Sequence, residues 1–171
     1  MIIKWLDSER LLQVASELGA LLQDVVAGGA SIGFLPPVSA AEAGAYWLEV
    51  VAALDGGNRI LLIAEDEGVI VGTVQLDMAS RPNSLHRAEV AKLMVHTQHR
   101  RRGIAKRLMQ AIEEEARRAG RTTLMLDTRE GDPSESLYLK LGYVRAGAIP
   151  EYARGADGTL HTTVYMYKLL R

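Results

Sequence analysis

Residues 87–128 constrain the fold more than any other stretch. RAEVAKLMV (87–95) is rich in apolar residues and runs into a polar loop, which marks a strand. A helical pattern follows from about Arg102, with Ile104, Leu108, Met109, Ile112 and Ala116 on one face and Gly120 at its end. TTLMLDT (122–128) is near-continuously apolar, as in a strand buried on both faces. Strand, helix and strand in this order predict a parallel pair joined by a right-handed crossover.

The flanking segments extend this into a mixed sheet. IIKWL (2–6) reads as an edge strand. Asp7 or Ser8 caps one helix in which Leu11, Ala15, Leu18, Leu22 and Val25 recur until Gly28 and Gly29. Ser39 and Glu42 form a capping box at the start of a second helix, which runs to Leu54 with Tyr46, Trp47, Val50 and Val51 on its apolar face. RILLIAED (59–66) and GVIVGTVQLDM (68–78) join 87–95 as an antiparallel meander. Asp132 and Pro133 start a short helix over 134–141, and Gly142 closes it. Strands at 143–149 and 160–170 end the chain as a hairpin around RGADG. The predicted fold is α/β: one domain over residues 1–171, with a mostly antiparallel mixed sheet of about seven strands and helices on both faces.

Composition excludes several function classes. The formal net charge of −1 gives no global attraction to nucleic acid or to an anionic membrane. There is no cysteine, and so no disulfide framework, thiolate metal site or cysteine nucleophile. The start of the sequence has no apolar signal region, and no apolar run approaches membrane-spanning length, so the expected location is cytoplasmic. His96 and His99 have no ligand pattern around them to complete a metal site and read as loop surface.

The local exception to this neutrality is HRRRGIAKRL (99–108). Arg100, Arg101 and Arg102 stand where a strand ends and a helix begins, with Gly103 in the first helical turn. A helix N-terminus offers unpaired N–H groups and positive potential, and a glycine lets an anion approach the backbone. The acidic run Glu113–Glu115 soon afterwards argues against a nucleic-acid face. Neither a Walker loop nor a dinucleotide fingerprint is present. The arginines alone fit a phosphate cradle and a solvated charge run equally well.

The wider context decides between these. LMVHTQHRRRGIAKRLM resembles the acetyl-CoA pyrophosphate motif of the GNAT N-acetyltransferase family, with Arg100, Gly103 and Ala105 in its fixed places. SLYLKLGYVRAG (136–147) resembles the family's second signature, and the strand order matches the family fold. Segments GGASIGF (28–34), RAEVAKLMV and DGTLHTTVYMYKLL (157–170) further resemble the tabtoxin-resistance type of acetyltransferase, which acts on a small amino-acid-derived toxin. The resemblance implies acetyl-CoA as co-substrate. It implies that the backbone over Arg101, Arg102, Gly103, Ile104 and Ala105, with Arg100 first in the motif, holds the pyrophosphate. A bulge in the preceding strand of the family implies carbonyl-polarising amides near Leu93, Met94 and Val95. Two departures stand out: Thr97 replaces a common proline, and Gly131 stands where an asparagine is usual, leaving Asp132 and Ser134 to supply its polar contact.

Acetyl transfer to an amine needs a base, an oxyanion partner and a proton for the leaving thiolate. Period two places Glu89 on the same side as Ala91, Leu93 and Val95, where burial would raise its pKa. Taken alone, Glu89 fits an ion pair with Arg87 or Lys92 better. The resemblance reverses that preference, because the histone-acetylating branch carries its base glutamate on this strand. Asp127 ends a parallel strand, where α/β proteins place ligands, and ranks beside Glu89 as base or ammonium holder. Tyr138 reads by periodicity as a core tyrosine; the resemblance makes it the acid. Ser31 and Phe34, in a loop between the first two helices, are candidate acceptor contacts.

The reading is an acetyl-CoA-dependent N-acetyltransferase for the primary amine of a small molecule, amino-acid-like, toxin or antibiotic. A protein or peptide acceptor and a non-catalytic acyl-CoA-binding module are the alternatives. No nucleic acid, membrane or metal is expected as a partner. Monomer and homodimer both remain open, with the last strand placed to pair at a sheet edge.

Overall fold

A computed structural model describes residues 1–170. Seven strands form one sheet in the order β1-β2-β3-β4-β5-β7-β6. The strands are β1 (Ile2–Trp5), β2 (Arg59–Asp66), β3 (Val69–Met78), β4 (Arg87–Val95), β5 (Thr123–Arg129), β6 (Val144–Arg154) and β7 (Leu160–Leu169). Only β4 and β5 are parallel; all other neighbours are antiparallel. The helices are α1 (Ser8–Gln13), α2 (Ala15–Ala27), α3 (Ala40–Asp55), α4 (Ile104–Arg118) and α5 (Pro133–Lys140).

The sheet separates two apolar cores, as alternation along the strands demands. Ile60, Leu62, Val74, Leu76, Ala88 and Val90 pack with Leu108, Met109 and Ile112 of α4 and Tyr138 of α5. Leu61, Ile63, Ile70 and Met94 face Leu18, Leu22 and Val25 of α2 and Trp47 and Val50 of α3. The capping box is present: Ser39 Oγ accepts from the Glu42 amide at 3.1 Å, and the Glu42 carboxylate accepts from the Ser39 amide at 3.4 Å.

Several expectations need correcting. The first helix is two helices, because Val14 leaves helical geometry at φ −109°, ψ 12°. Leu11, Val14 and Leu18 remain in phase and buried across the break, so periodicity cannot reveal it. Helix α4 begins at Ile104, and Gly103 is its N-cap rather than part of its first turn. Strand β6 continues through Pro150 to Arg154; an outer strand tolerates proline, and a register shift between Ile149 and Ala153 absorbs it. The last strand, β7, lies inside the sheet, and the free edges belong to β1 and β6.

Strand β5 is buried on one face only. Leu124, Leu126 and Thr128 are covered, whereas Met125 is half-buried and Asp127 exposed. Helices α2 and α3 pack on β2, β3 and β4 and stop short of β5. That leaves the β5–β7 part of this face open.

Gly72 sets how closely α4 can lie on the sheet. A Cβ there would come within 2.7 Å of the Met94 carbonyl oxygen, 3.2 Å of Leu108 and 3.4 Å of Ile104. Gly72→Ala is expected to lower unfolding free energy by about 1–3 kcal/mol through this overpacking, measurable by urea titration.

Candidate active site

The loop from β4 to α4 is built from unusual backbone. A 3-10 turn (Thr97–His99) leads to Arg100 in extended geometry, Arg101 at φ 63° and Gly103 at φ 79°. No side chain caps α4, so its first amides are without side-chain partners. A Cβ on Gly103 would meet nothing within 4 Å, so the glycine serves its dihedral and leaves open space beside the helix N-terminus. The arginines divide. Arg102 donates to Asp66 at 3.1 Å and to His99 Nδ1 at 2.9 Å, whereas Arg100 and Arg101 are exposed and make no ion pair among the described residues.

Strand β4 parts from β5 at the same end. Their pairing is limited to Arg87–Thr123, Ala88–Leu124 and Glu89–Met125. From Val90 to Val95 the side of β4 that faced β5 has no strand partner. Pairing with β3 skips a residue here, from Ala91 opposite Gln75 to Met94 opposite Thr73. Two residues, Lys92 and Leu93, therefore oppose Val74 alone, and Lys92 takes φ 50°. Thr73 Oγ1 donates to the Lys92 carbonyl at 3.2 Å and braces the bulge.

The bulge corrects the placement of Glu89. Ala88 and Val90 face the α4 core, and so do Leu93 and Val95 beyond the bulge; Met94 joins the opposite core. The extra residue reverses the alternation, so Glu89 lies on the face opposite Leu93 and Val95, at the partly covered open face rather than in the α4 core. Register puts it beside Asp77, which is ion-paired to Arg59. On the other side Glu89 aligns with Met125, and Asp127 comes two residues later, opposite Tyr165.

Two carboxyl groups thus share the open face. Partial burial, with the charges of Asp127 and Asp77, raises the Glu89 pKa above the usual carboxylate value. Burial also raises Asp127, against a lowering effect of Lys92. Lys92 has its own pKa lowered by burial, opposed by the attraction of Asp127. Its Nζ stands 5.8 Å from the centre of the Tyr46 ring.

Comparison with known proteins gives the family and the fold. A family model described as the acetyltransferase (GNAT) family matches residues 34–143. The chain belongs to the GNAT family. Over 109 residues it is 36% identical to an uncharacterized N-acetyltransferase of Azospirillum brasilense, a match covering 63% of each chain. The chain matches 39% to 63% of the length of its curated relatives. Its fold resembles the ribosomal-protein-alanine N-acetyltransferase of Brucella melitensis (TM-score 0.80, 23% identity, 99% of this chain and 100% of that one). It also resembles yncA of Salmonella typhimurium, solved with its cofactor acetyl-CoA (TM-score 0.80, 20% identity, 99% and 94%).

The family's donor is acetyl-CoA, and the loop fits its pyrophosphate: uncapped amides and a left-handed glycine lie there, next in sequence to Arg100 and Arg101, which make no ion pair among the described residues. The other GNAT candidates occupy varied surroundings. Tyr138 is 7% exposed in the α4 core, and burial together with the charge of Asp127 pushes its phenol pKa up. Ser134 shares a 2.6 Å hydrogen bond with Thr128, and Asp132 is held by Arg129 at 2.8 Å. Phe34 meets the Tyr46 ring edge-on at 5.4 Å, on the same side as Lys92. Ser31 is exposed.

Tyr46, Lys92, Asp77 and Arg59 were not among the predicted site residues. Tyr46 reads as part of an apolar helix face, yet its hydroxyl accepts from Gln75 Nε2 at 2.8 Å and burial pushes its pKa up to about 12. Lys92 depends on a bulge that no residue type marks. Asp77 and Arg59 were detectable only from the register of the meander.

Gly103→Ala tests the loop. A left-handed alanine costs roughly 1–2 kcal/mol. The expected outcome is weaker binding of coenzyme A in a calorimeter, with the α4 core still cooperatively folded.

Proposed function

We propose that this chain is an acetyl-CoA-dependent N-acetyltransferase whose acceptor is the primary amine of a small, amino-acid-like molecule. The observation that carries the reading is the position of Glu89 and Asp127 on the open face, where β4 leaves β5. Acetyl-CoA, when bound, supplies an acetyl thioester as acyl donor. Glu89 and Asp127 bind the acceptor ammonium and take its proton, one as base and the other as orienting partner. Their raised pKa values make either a better base than an ordinary surface carboxylate. Over Leu93, Met94 and Val95 strand β4 has left β5, and those of their amides that face the gap are the donors for developing negative charge on the carbonyl oxygen. Tyr138 keeps its phenolic proton at neutral pH and is the acid for the departing sulfur. With no cysteine in the chain, attack by the amine is direct.

Lys92 favours an acceptor carrying an acidic group. It makes no ion pair within 4 Å among the described residues, and it stands beside Tyr46 and the loop bearing Gly33 and Phe34. An amino-acid-like acceptor would place its ammonium at the carboxylates and its acid at Lys92. The resemblance to tabtoxin-resistance acetyltransferases supports the same class.

Thiol release from acetyl-CoA, followed with a thiol-reactive dye over amino acids, other small amines and peptides, tests this. The protein has no cysteine and adds no background. Turnover with small amino acids is expected, and Glu89→Gln or Asp127→Asn should lower kcat/KM by about 10²–10⁴. Coenzyme A binding without release for any amine would favour the binding module, and turnover of peptides alone would favour a protein acceptor.

The pH profile gives a separate check. A base works deprotonated, so kcat/KM should fall as pH drops, with an apparent pKa above the ordinary carboxylate value. If Glu89 is the base, Asp127→Asn removes a repelling charge and shifts this limb to lower pH.

A further inference from the structure

The cofactor loop is tied to a helix on the acceptor side of the sheet. Asp24 lies one turn from the end of α2, and 73 residues separate it from Thr97. Its Oδ2 accepts the Thr97 amide at 2.7 Å, and its Oδ1 accepts the Thr97 hydroxyl, also at 2.7 Å. Both bonds are part-buried and charge-assisted, and together they fix the position and the orientation of one residue. Four residues on, Gly28 lets the two segments touch. A Cβ there would come within 2.7 Å of Thr97 Cγ2 and 3.1 Å of an Arg100 guanidinium nitrogen.

The backbone just beyond Thr97 needs holding. Arg101 adopts a left-handed conformation that non-glycine residues disfavour, and such strain persists only where the surroundings over-determine it. A proline at position 97 would stiffen the chain by itself. A proline could not donate to Asp24. Here a threonine supplies two donors and an acidic residue on α2 receives both.

We propose that Asp24 is a positioning residue for the cofactor site: through Thr97 it holds the β4–α4 loop in the conformation that presents the first amides of α4. The proposal rests on the acetyl-CoA reading. Asp24 touches no reacting atom in this role. Its loss frees the loop and weakens cofactor binding, while acceptor chemistry at saturating cofactor is retained.

The test is calorimetric binding of coenzyme A, alongside steady-state kinetics and thermal unfolding. Asp24→Ala is expected to raise the coenzyme A Kd and the KM for acetyl-CoA about tenfold, as loss of hydrogen bonds to a charged group would, with kcat within about twofold. Asp24→Asn, which can accept the amide at one atom and donate to the hydroxyl at the other, should restore most of the affinity. A second rescue is sharper. His96 has φ −47° and ψ 134°, the conformation that precedes proline, and Thr97 opens a 3-10 turn, where proline is tolerated. Thr97→Pro in the Asp24→Ala background should therefore recover coenzyme A binding without any tether to α2.

A structural role alone would lower the melting temperature of Asp24→Ala, leave Kd unchanged and gain nothing from the proline. That result, or failure of the proline to rescue a folded Asp24→Ala protein, would overturn the proposal. If Asp24→Ala does not fold, Thr97→Val, which removes the hydroxyl donor to Asp24 and keeps the amide, decides: a several-fold higher Kd for coenzyme A in the folded variant supports the proposal and an unchanged Kd refutes it. If the unaltered protein fails to bind coenzyme A, the acetyl-CoA reading falls and this inference falls with it. Normal binding by the unaltered protein with an unaffected Asp24→Ala variant removes only the positioning role.

Discussion

One extra residue in β4 organises the site. Lys92 and Leu93 together oppose Val74, and this bulge changes which way every later side chain of the strand points. Before it, the strand gives Ala88 and Val90 to the α4 core and Glu89 to the open face. After it, Leu93 and Val95 go to the α4 core and Met94 goes to the helices opposite. Parallel pairing with β5 ends at Glu89 and Met125, where the strands separate. The gap leaves backbone amides unpaired beside the base candidates. Helix α4 then starts from the loop that follows the end of that gap.

The uneven cover of the sheet determines the chemistry of its carboxyl groups. Helices α2 and α3 shield β2, β3 and β4 on one face and stop short of β5 and β7. Glu89 and Asp127 stand at that boundary. Full burial would neutralise them, and full solvation would leave them ordinary acids. At the boundary both are shifted upward while a protonated amine can still reach them. Asp77 lies in the same row and is ion-paired to Arg59, whereas Glu89 and Asp127 make no ion pair among the described residues.

Much of the architecture was legible because it rests on local chemistry. The capping box at Ser39, the meander from Arg59 to Val95 and the amphipathic α4 are each specified by residue type and spacing. The features that were missed depend on contacts between distant parts of the chain. Period two placed Glu89 with Leu93 and Val95, and one inserted residue broke that rule. Val14 bends the first helix without disturbing its apolar phase. The apolar run of β5 implied cover on both faces, but whether α1–α3 extend that far is decided by their packing. Thr97 looked like a mere departure from a motif; its partner, Asp24, lies 73 residues away and reads as an ordinary helix-surface acid.

The open face has a consequence for how the molecule can diversify. Its floor is strand: Glu89, Lys92 and Asp127 sit on β4 and β5, hydrogen-bonded into the sheet. Its sides come from the segment between α2 and α3 and from the β6–β7 hairpin, where Tyr165 donates to Tyr152 at 2.7 Å. Reactivity and shape are thus inherited by different parts of the chain. Insertions or exchanges in the side segments can reshape the open face while the strand residues of its floor stay in register. A change in the α2 end of that wall carries a cost, because the same helix grips the cofactor loop. The shape of the open face is therefore freer to drift at the β6–β7 side than at the α2 side.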